Sequence, residues 1–234
     1  MIRRFLLPAM LFAILPVMLM AQTRSDELTV EQSYLQESVE LMIIREQSRA
    51  DSRDMKLVAL DYIGEAIERG NRSDELRAAL EYLGLEGVFN VTRENGRVLN
   101  NFPDVRKQAA AHLGSLGTPE AQKTLMKMVL TDNEPMVITE AIRSLGTIGN
   151  NDSSEATDAI VWTMNRFHVL NPDNFMALST LEAFEKIAVA SGGIKDRNVL
   201  ETIFKIAEGP HYIKPVQDRA RALISSLRQL EQNR

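Results

Sequence analysis

One helix-sized phrase, written three times, constrains this chain more than any other feature. Asp104-Val105-Arg106-Lys107-Gln108-Ala109-Ala110-Ala111-His112-Leu113-Gly114 returns 32 residues later as Met136-Val137-Ile138-Thr139-Glu140-Ala141-Ile142-Arg143-Ser144-Leu145-Gly146. An earlier version, Asp54-Met55-Lys56-Leu57-Val58-Ala59-Leu60-Asp61-Tyr62-Ile63-Gly64, lies 50 residues upstream of the middle copy. Apolar residues recur at helical spacing in each: Val105, Ala109, Ala110 and Leu113 in one, Met55, Ala59, Leu60 and Ile63 in another. A single such unit cannot bury its apolar face, but stacked neighbours bury it together. The expectation is an all-α solenoid of about four helix pairs with caps, whose work is done by an extended surface.

The intervening segments supply the second helix of each pair. Leu76, Leu80 and Leu83 mark an apolar face from about Ser73 to Leu83. In Leu116-Gly117-Thr118-Pro119-Glu120, Thr118 is placed as an N-cap and Pro119 at the first helical position, where its missing N–H costs nothing. A third unit repeats the plan with Ile148-Gly149 and a polar turn from Asn150 to Ser154. The fourth is looser. Met176, Thr180, Leu181, Phe184 and Ile187 stand 39 residues after their counterparts, followed by Val199, Ile203, Ile206 and Ala207. Pro215 opens a closing helix with Val216, Ala220, Leu223, Ile224 and Leu227. At the other end, Thr29-Val30-Glu31-Gln32 reads as a capping box. Leu35, Val39 and Met42, widened by Leu41 and Ile43, read as the buried face of a terminal helix.

One segment breaks this rhythm. Val88-Phe89-Asn90-Val91-Thr92 and Arg97-Val98-Leu99-Asn100 flank Arg93-Glu94-Asn95-Gly96. Asn-Gly between β-prone runs predicts a hairpin, since both residues tolerate positive φ. A hairpin projecting from the stack is a candidate contact element.

The first residues differ in kind. Arg3 and Arg4 precede an apolar run from Phe5 to Met20, then Ala21 and polar sequence, the pattern of a signal peptide. Pro8 and Pro16 interrupt the run and argue against a comfortable spanning helix. The whole chain carries a formal charge of −5; loss of the segment through Ala21 removes two arginines and no acid, leaving −7. Such a surface repels phosphate backbones, so no nucleic-acid partner is expected. With no cysteine, disulfides, thiolate nucleophiles and cysteine-held zinc are excluded.

The expected organisation is a signal peptide (1–21), an N-terminal capping helix (22–50), four repeats (51–84, 103–134, 135–170 and 171–209), a hairpin insertion (85–102) and a C-terminal capping helix (210–234).

Pro103-Asp104-Val105-Arg106 through Leu113-Gly114, then Leu116-Gly117-Thr118-Pro119-Glu120-Ala121, closely resembles the HEAT-like repeat of phycobiliprotein lyases. The resemblance covers roughly Pro103 to Met164 well and the other units in apolar pattern only. It implies that the motif's Asp and Arg link adjacent repeats. Asp104 and Arg106 fit, whereas Met136 and Ile138 hold those places in the next unit. The tetratricopeptide alternative lacks its Trp and Tyr signature.

Enzymatic signatures are sparse. Deoxyhypusine hydroxylases, built from similar repeats, need paired His-Glu motifs for two irons, and this chain has no His-Glu dipeptide. His112, His168 and His211 lie in different units without ligand spacing. Ser191-Gly192-Gly193 follows an apolar helix and reads as a C-cap and turn, not a phosphate loop. No catalytic residue, metal or cofactor is expected.

The resemblance further implies that the second helix of each pair lines a concave face. Aligned on their buried residues, those helices place Ala78, Lys123, Asp158 and Glu201 at one outward position. One turn on stand Tyr82, Lys127, Trp162 and Lys205, with Arg166 extending the third helix. Tyr, Trp and Arg dominate protein-binding energy, making Tyr82, Trp162 and Arg166 the hot-spot candidates. The resulting expectation is a non-catalytic scaffold of the bacterial cell envelope that binds another protein or peptide on that face. A repeat-built lyase or small-ligand protein, and an envelope protein anchored through an uncleaved N-terminus, are the alternatives; only the last involves a membrane.

Overall fold

The computed structural model describes residues 29–194 and 196–232; the signal segment lies outside them. It is an α-solenoid. Among the described residues the helices are α1 (Val30–Ser48), α2 (Arg53–Glu68), α3 (Asp74–Leu85), α4 (Pro103–Leu116), α5 (Pro119–Thr131), α6 (Pro135–Ile148), α7 (Glu155–Leu170), α8 (Asn174–Ser191), α9 (Arg197–Glu208) and α10 (Lys214–Gln232). A small hairpin of β1 (Arg93–Glu94) and β2 (Arg97–Val98) separates α3 from α4. No helix among the described residues is long and apolar enough to cross a membrane.

Two layers alternate along the chain. The even-numbered helices stack side by side in one, the odd-numbered helices in the other. Each repeated phrase forms an even-numbered helix, with Ala59, Leu60, Ile63, Ala109, Leu113, Val137, Ala141 and Leu145 wholly buried between the layers. The glycine that ends each phrase sits inside its helix, where glycine costs about 1 kcal/mol relative to alanine. Close approach explains its place. A Cβ on Gly64 would lie 2.8 Å from the His112 ring, one on Gly114 2.7 Å from Ser144, and one on Gly146 2.5 Å from the Ala183 backbone. Each glycine therefore lets the next even-numbered helix approach closely, down to backbone contact at Gly146. Between α4 and α5 the turn follows local chemistry: Gly117 adopts φ 69°, and the Thr118 hydroxyl accepts from the Ala121 N–H at 3.2 Å.

Buried ion pairs tie the first two repeats together. Lys56 on α2 reaches Glu86, just after α3, at 2.8 Å, and Arg106 on α4 reaches Asp132, just after α5, at 2.7 Å; all four are almost completely buried. Lys56 and Arg106 occupy the same position of the repeated phrase. Their acids occupy the same position after the second helix. In the third unit that position is Ile138, which is buried without a charge. Arg53 also pairs with Asp104 across the α2–α4 boundary, at the surface. Burial pushes the Asp104 carboxyl up, but the bonded Arg53 guanidinium outweighs it and holds the carboxyl below its usual range.

Three local expectations need correction. Leu35, Val39 and Met42 do not face the core: they are 62, 48 and 57 % exposed. The inward line of α1 is Leu41, Ile44 and Ser48, preceded by Glu37 and Glu40, which bond Asn71 and Arg69. Those polar anchors, with the Lys56 ammonium donating to the Ser48 carbonyl, set the helix rotation against its own apolar stripe. Met55 is likewise half exposed, because the phrase becomes inward-facing only from Lys56. The hairpin forms with the expected turn, Asn95 at φ 49° and Gly96 at φ 81°, but its ladder is only Arg93↔Val98 and Glu94↔Arg97. Val88 and Phe89 instead enter a turn after Gly87 (φ 77°), whose Cβ position is blocked by the Asn100 carbonyl. Asn100 staples the base: its amide donates to the Asn90 carbonyl at 2.6 Å, and its side-chain oxygen accepts from the Thr92 N–H at 2.9 Å.

Candidate protein-binding groove

The outward side of the odd-numbered layer carries the two aligned rows. Ala78, Lys123, Lys127, Asp158, Trp162, Glu201 and Lys205 are exposed, while Tyr82 and Arg166 are half-buried. Between α5 and α7 lies a groove of about 530 Å³. Met126, Leu130, Ala159 and Trp162 form its apolar lining, Lys123 and Lys127 one wall, Glu155 and Asp158 the other. Four sequence candidates, Lys123, Lys127, Asp158 and Trp162, thus meet in one place. Glu201 and Lys205 pair with each other at 3.0 Å on α9, outside the groove.

Trp162, the chain's single tryptophan, leaves 52 % of its surface open. Its indole is held from below. The Arg166 guanidinium lies 5.2 Å from the Trp162 ring centroid and 5.0 Å from that of Phe167. Arg166 also donates to the Asp132 carbonyl at 3.1 Å, and the Asp132 carboxylate takes the buried Arg106. A chain of polar contacts therefore runs from α4 through the α5–α6 turn to the groove. Arg166 works here as a clamp on the indole.

The walls differ in charge. Lys127 reaches Glu81 at 3.5 Å, and Glu81 also takes Arg77. Opposite, burial first, then the Asp196 and Glu155 carboxylates, push the Asp158 carboxyl up. Tyr82 sits apart, in a hollow of about 300 Å³ between α1 and α3 lined by Ile44, Arg45 and Arg49. The Lys56 ammonium lies 5.5 Å from its ring, and burial, then Glu86, push its phenol up.

Sequence reasoning missed Met126, Leu130, Glu155 and Ala159. Met126 and Leu130 are four apart, a weak sign of a second apolar stripe on α5 beside its buried one. The histidines stay apart: His112 lies against Gly64, His168 stacks on Tyr212 with centroids 5.7 Å apart, and His211 is exposed.

A HEAT-repeat family model matches residues 98–162, from β2 to the middle of α7. No curated protein matches the chain. Among solved structures the chain is similar to the complex of CpcE and CpcF of phycocyanin lyase from Nostoc sp. PCC7120. The TM-score is 0.56 at 19% identity, over 81% of this chain and 65% of that one. The chain thus spans just under two thirds of that relative's length. The likeness shows the fold, a HEAT-like repeat solenoid of the type seen in that lyase complex. It also corrects the expectation that the chain is no enzyme, because this architecture stands in a lyase. The His-Glu pairs and Gly-rich loops sought in the sequence belong to metal and phosphate chemistry, and lacking them does not mark a repeat stack as non-catalytic.

Proposed function

We propose that this HEAT-like solenoid is a cell-envelope scaffold that captures a protein partner along its odd-numbered layer, with the α5–α7 groove as anchor. The observation carrying this reading is Trp162: a half-open indole, clamped by Arg166, in an apolar groove on an outer face. A rigid aromatic anchor ringed by charge is the usual make-up of a binding hot spot. Two further facts support it. The similar solved structure is a complex of two proteins, and α3, α5, α7 and α9 continue the face on both sides of the groove.

The test is affinity capture by residues 22–234 from envelope extracts, beside a Trp162→Ala variant. The partner is expected to be lost by about thirtyfold in affinity, the scale of a hot-spot truncation, while the melting temperature stays nearly unchanged. An equal capture by both proteins would move the site away from Trp162. Export is part of the proposal and rests on the Arg3-Arg4 start and the Phe5–Met20 run. N-terminal sequencing of the exported form should begin at Gln22; an intact Met1 would make this an anchored envelope protein instead.

A second reading uses the same groove. Its apolar lining and two lysines would also suit a small ligand bearing a carboxylate, and the similar solved structure is that of a lyase complex. Trp162 quenching by such a ligand, lost in Lys123→Ala, would favour it over the scaffold.

A further inference from the structure

The two walls of the α5–α7 groove carry opposite charge, and they are kept apart. Lys123 and Lys127 line the α5 side; Glu155 and Asp158 line the α7 side, with Asp196 beside Asp158. Met126, Leu130, Ala159 and Trp162 lie between, so no ion pair crosses the groove. Among the described residues no lysine or arginine pairs with Glu155, Asp158 or Asp196, and Lys123 pairs with no acid. Lys127 is partly engaged by Glu81, so the uncompensated charge is Lys123 on one rim and Glu155 and Asp158 on the other, and such charge specifies an occupant by complementarity.

We infer that the occupant is an amphipathic helix of the partner, apolar on the side facing Trp162, acidic along the flank beside Lys123 and basic along the flank beside Asp158. This rests on reading the groove as protein-binding. A helix is selected over an extended strand by hydrogen bonding. The backbone groups of α5 and α7 are satisfied within their own helices, so a strand laid in the trough would bury unpaired N–H and C=O groups, whereas a helix satisfies its own. The length agrees, since α5 has 13 residues and runs about 20 Å, enough to seat three to four turns. Mixed flanks also set the direction of the bound helix, because reversing it would bring acid against acid.

Trp162 is a built-in reporter, as the chain has one tryptophan. Three synthetic helical peptides of about 14 residues, the length matched to α5, share a leucine stripe and lack aromatics. One has Glu on one flank and Lys on the other, one has Lys on both, one has Glu on both. Titrated against residues 22–234 at low salt, the mixed peptide should shift Trp162 emission with about three- to tenfold tighter affinity than either uniform one. The advantage should shrink in high salt. A Glu155→Gln/Asp158→Asn variant, with its helical signal unchanged, should bind the mixed and all-Glu peptides alike. Equal affinity for all three peptides by the parent overturns the charge selection while leaving a protein-binding groove. No emission shift with any of them overturns the helix occupant, and the scaffold reading then stands or falls on the Trp162→Ala capture alone.

Discussion

The glycine ending each repeated phrase shows how one atom sets the spacing of a layer. At Gly146 an added Cβ meets backbone, 2.5 Å from the Ala183 Cα, so neither helix can yield without moving. At Gly64 it meets the rim of the His112 ring, which can turn aside. Gly146→Ala is therefore expected to cost about 1–3 kcal/mol and Gly64→Ala clearly less, read from urea denaturation midpoints at constant slope. His112 itself predicts a pH effect. Burial lowers its pKa, outweighing the nearby Asp61 and Glu68, and its Nε2 has no hydrogen-bond partner among the described residues. A group whose folded pKa lies below the unfolded value of 6.5 leaves stability intact above that pH. As pH falls below it, the unfolded state binds the proton first and stability drops until the folded pKa is passed. The melting temperature should therefore decline just below pH 6.5, and His112→Gln should flatten that segment of the curve. These residues were legible as a helical phrase, but periodicity reports only which side is apolar. It does not say which small residue touches a neighbouring backbone.

Elements are joined by polar contacts as much as by the apolar core. Lys56–Glu86 and Arg106–Asp132 repeat one design, a base early in the first helix reaching an acid just after the second. Removing one partner leaves the other buried and uncompensated, so Arg106→Met should destabilise by about 3–5 kcal/mol. Arg53→Ala, at the exposed pair with Asp104, should leave the unfolding midpoint nearly unchanged. A double variant, Arg106→Met with Asp132→Leu, should recover much of the loss, and failure to do so would assign Arg106 a role beyond neutralising Asp132. The same contacts explain why α1 defied its pattern. Its apolar stripe was plain in the sequence, yet Glu37, Glu40 and Ser48 bind partners on α2 and the turn after it, and these turned Leu35, Val39 and Met42 outward. The hairpin divides similarly: Asn95-Gly96 dictated the turn by local sterics, while Asn100 and Gly87 decided how long the ladder could be.

Over the described residues the stack runs from an odd-layer helix, α1, to an even-layer one, α10. α1 covers α2 and α3, and α10 covers α8 and α9. In such an array stability is close to a sum of repeat and interface terms. Removing residues 210–234 should leave the earlier repeats helical but lower the melting temperature and raise dye binding, because Val216, Ala220 and Leu223 no longer cover the last pair. Complete loss of helical signal would instead show that the array folds only as a unit. The sequence by itself determined the all-α repeat class, because apolar period, caps and turn residues are local and each phrase carries its own. It also brought Lys123, Lys127, Asp158 and Trp162 into view, since residues at equivalent positions of stacked helices must share a face. Only the tertiary structure decided that these four converge on one groove floored by Met126 and Leu130, that Tyr82 and Glu201 lie outside it, and that Arg166 clamps the indole. Those outcomes depend on the distance and rotation between neighbouring helices. Glycine contacts and buried ion pairs set both, and no single segment encodes them.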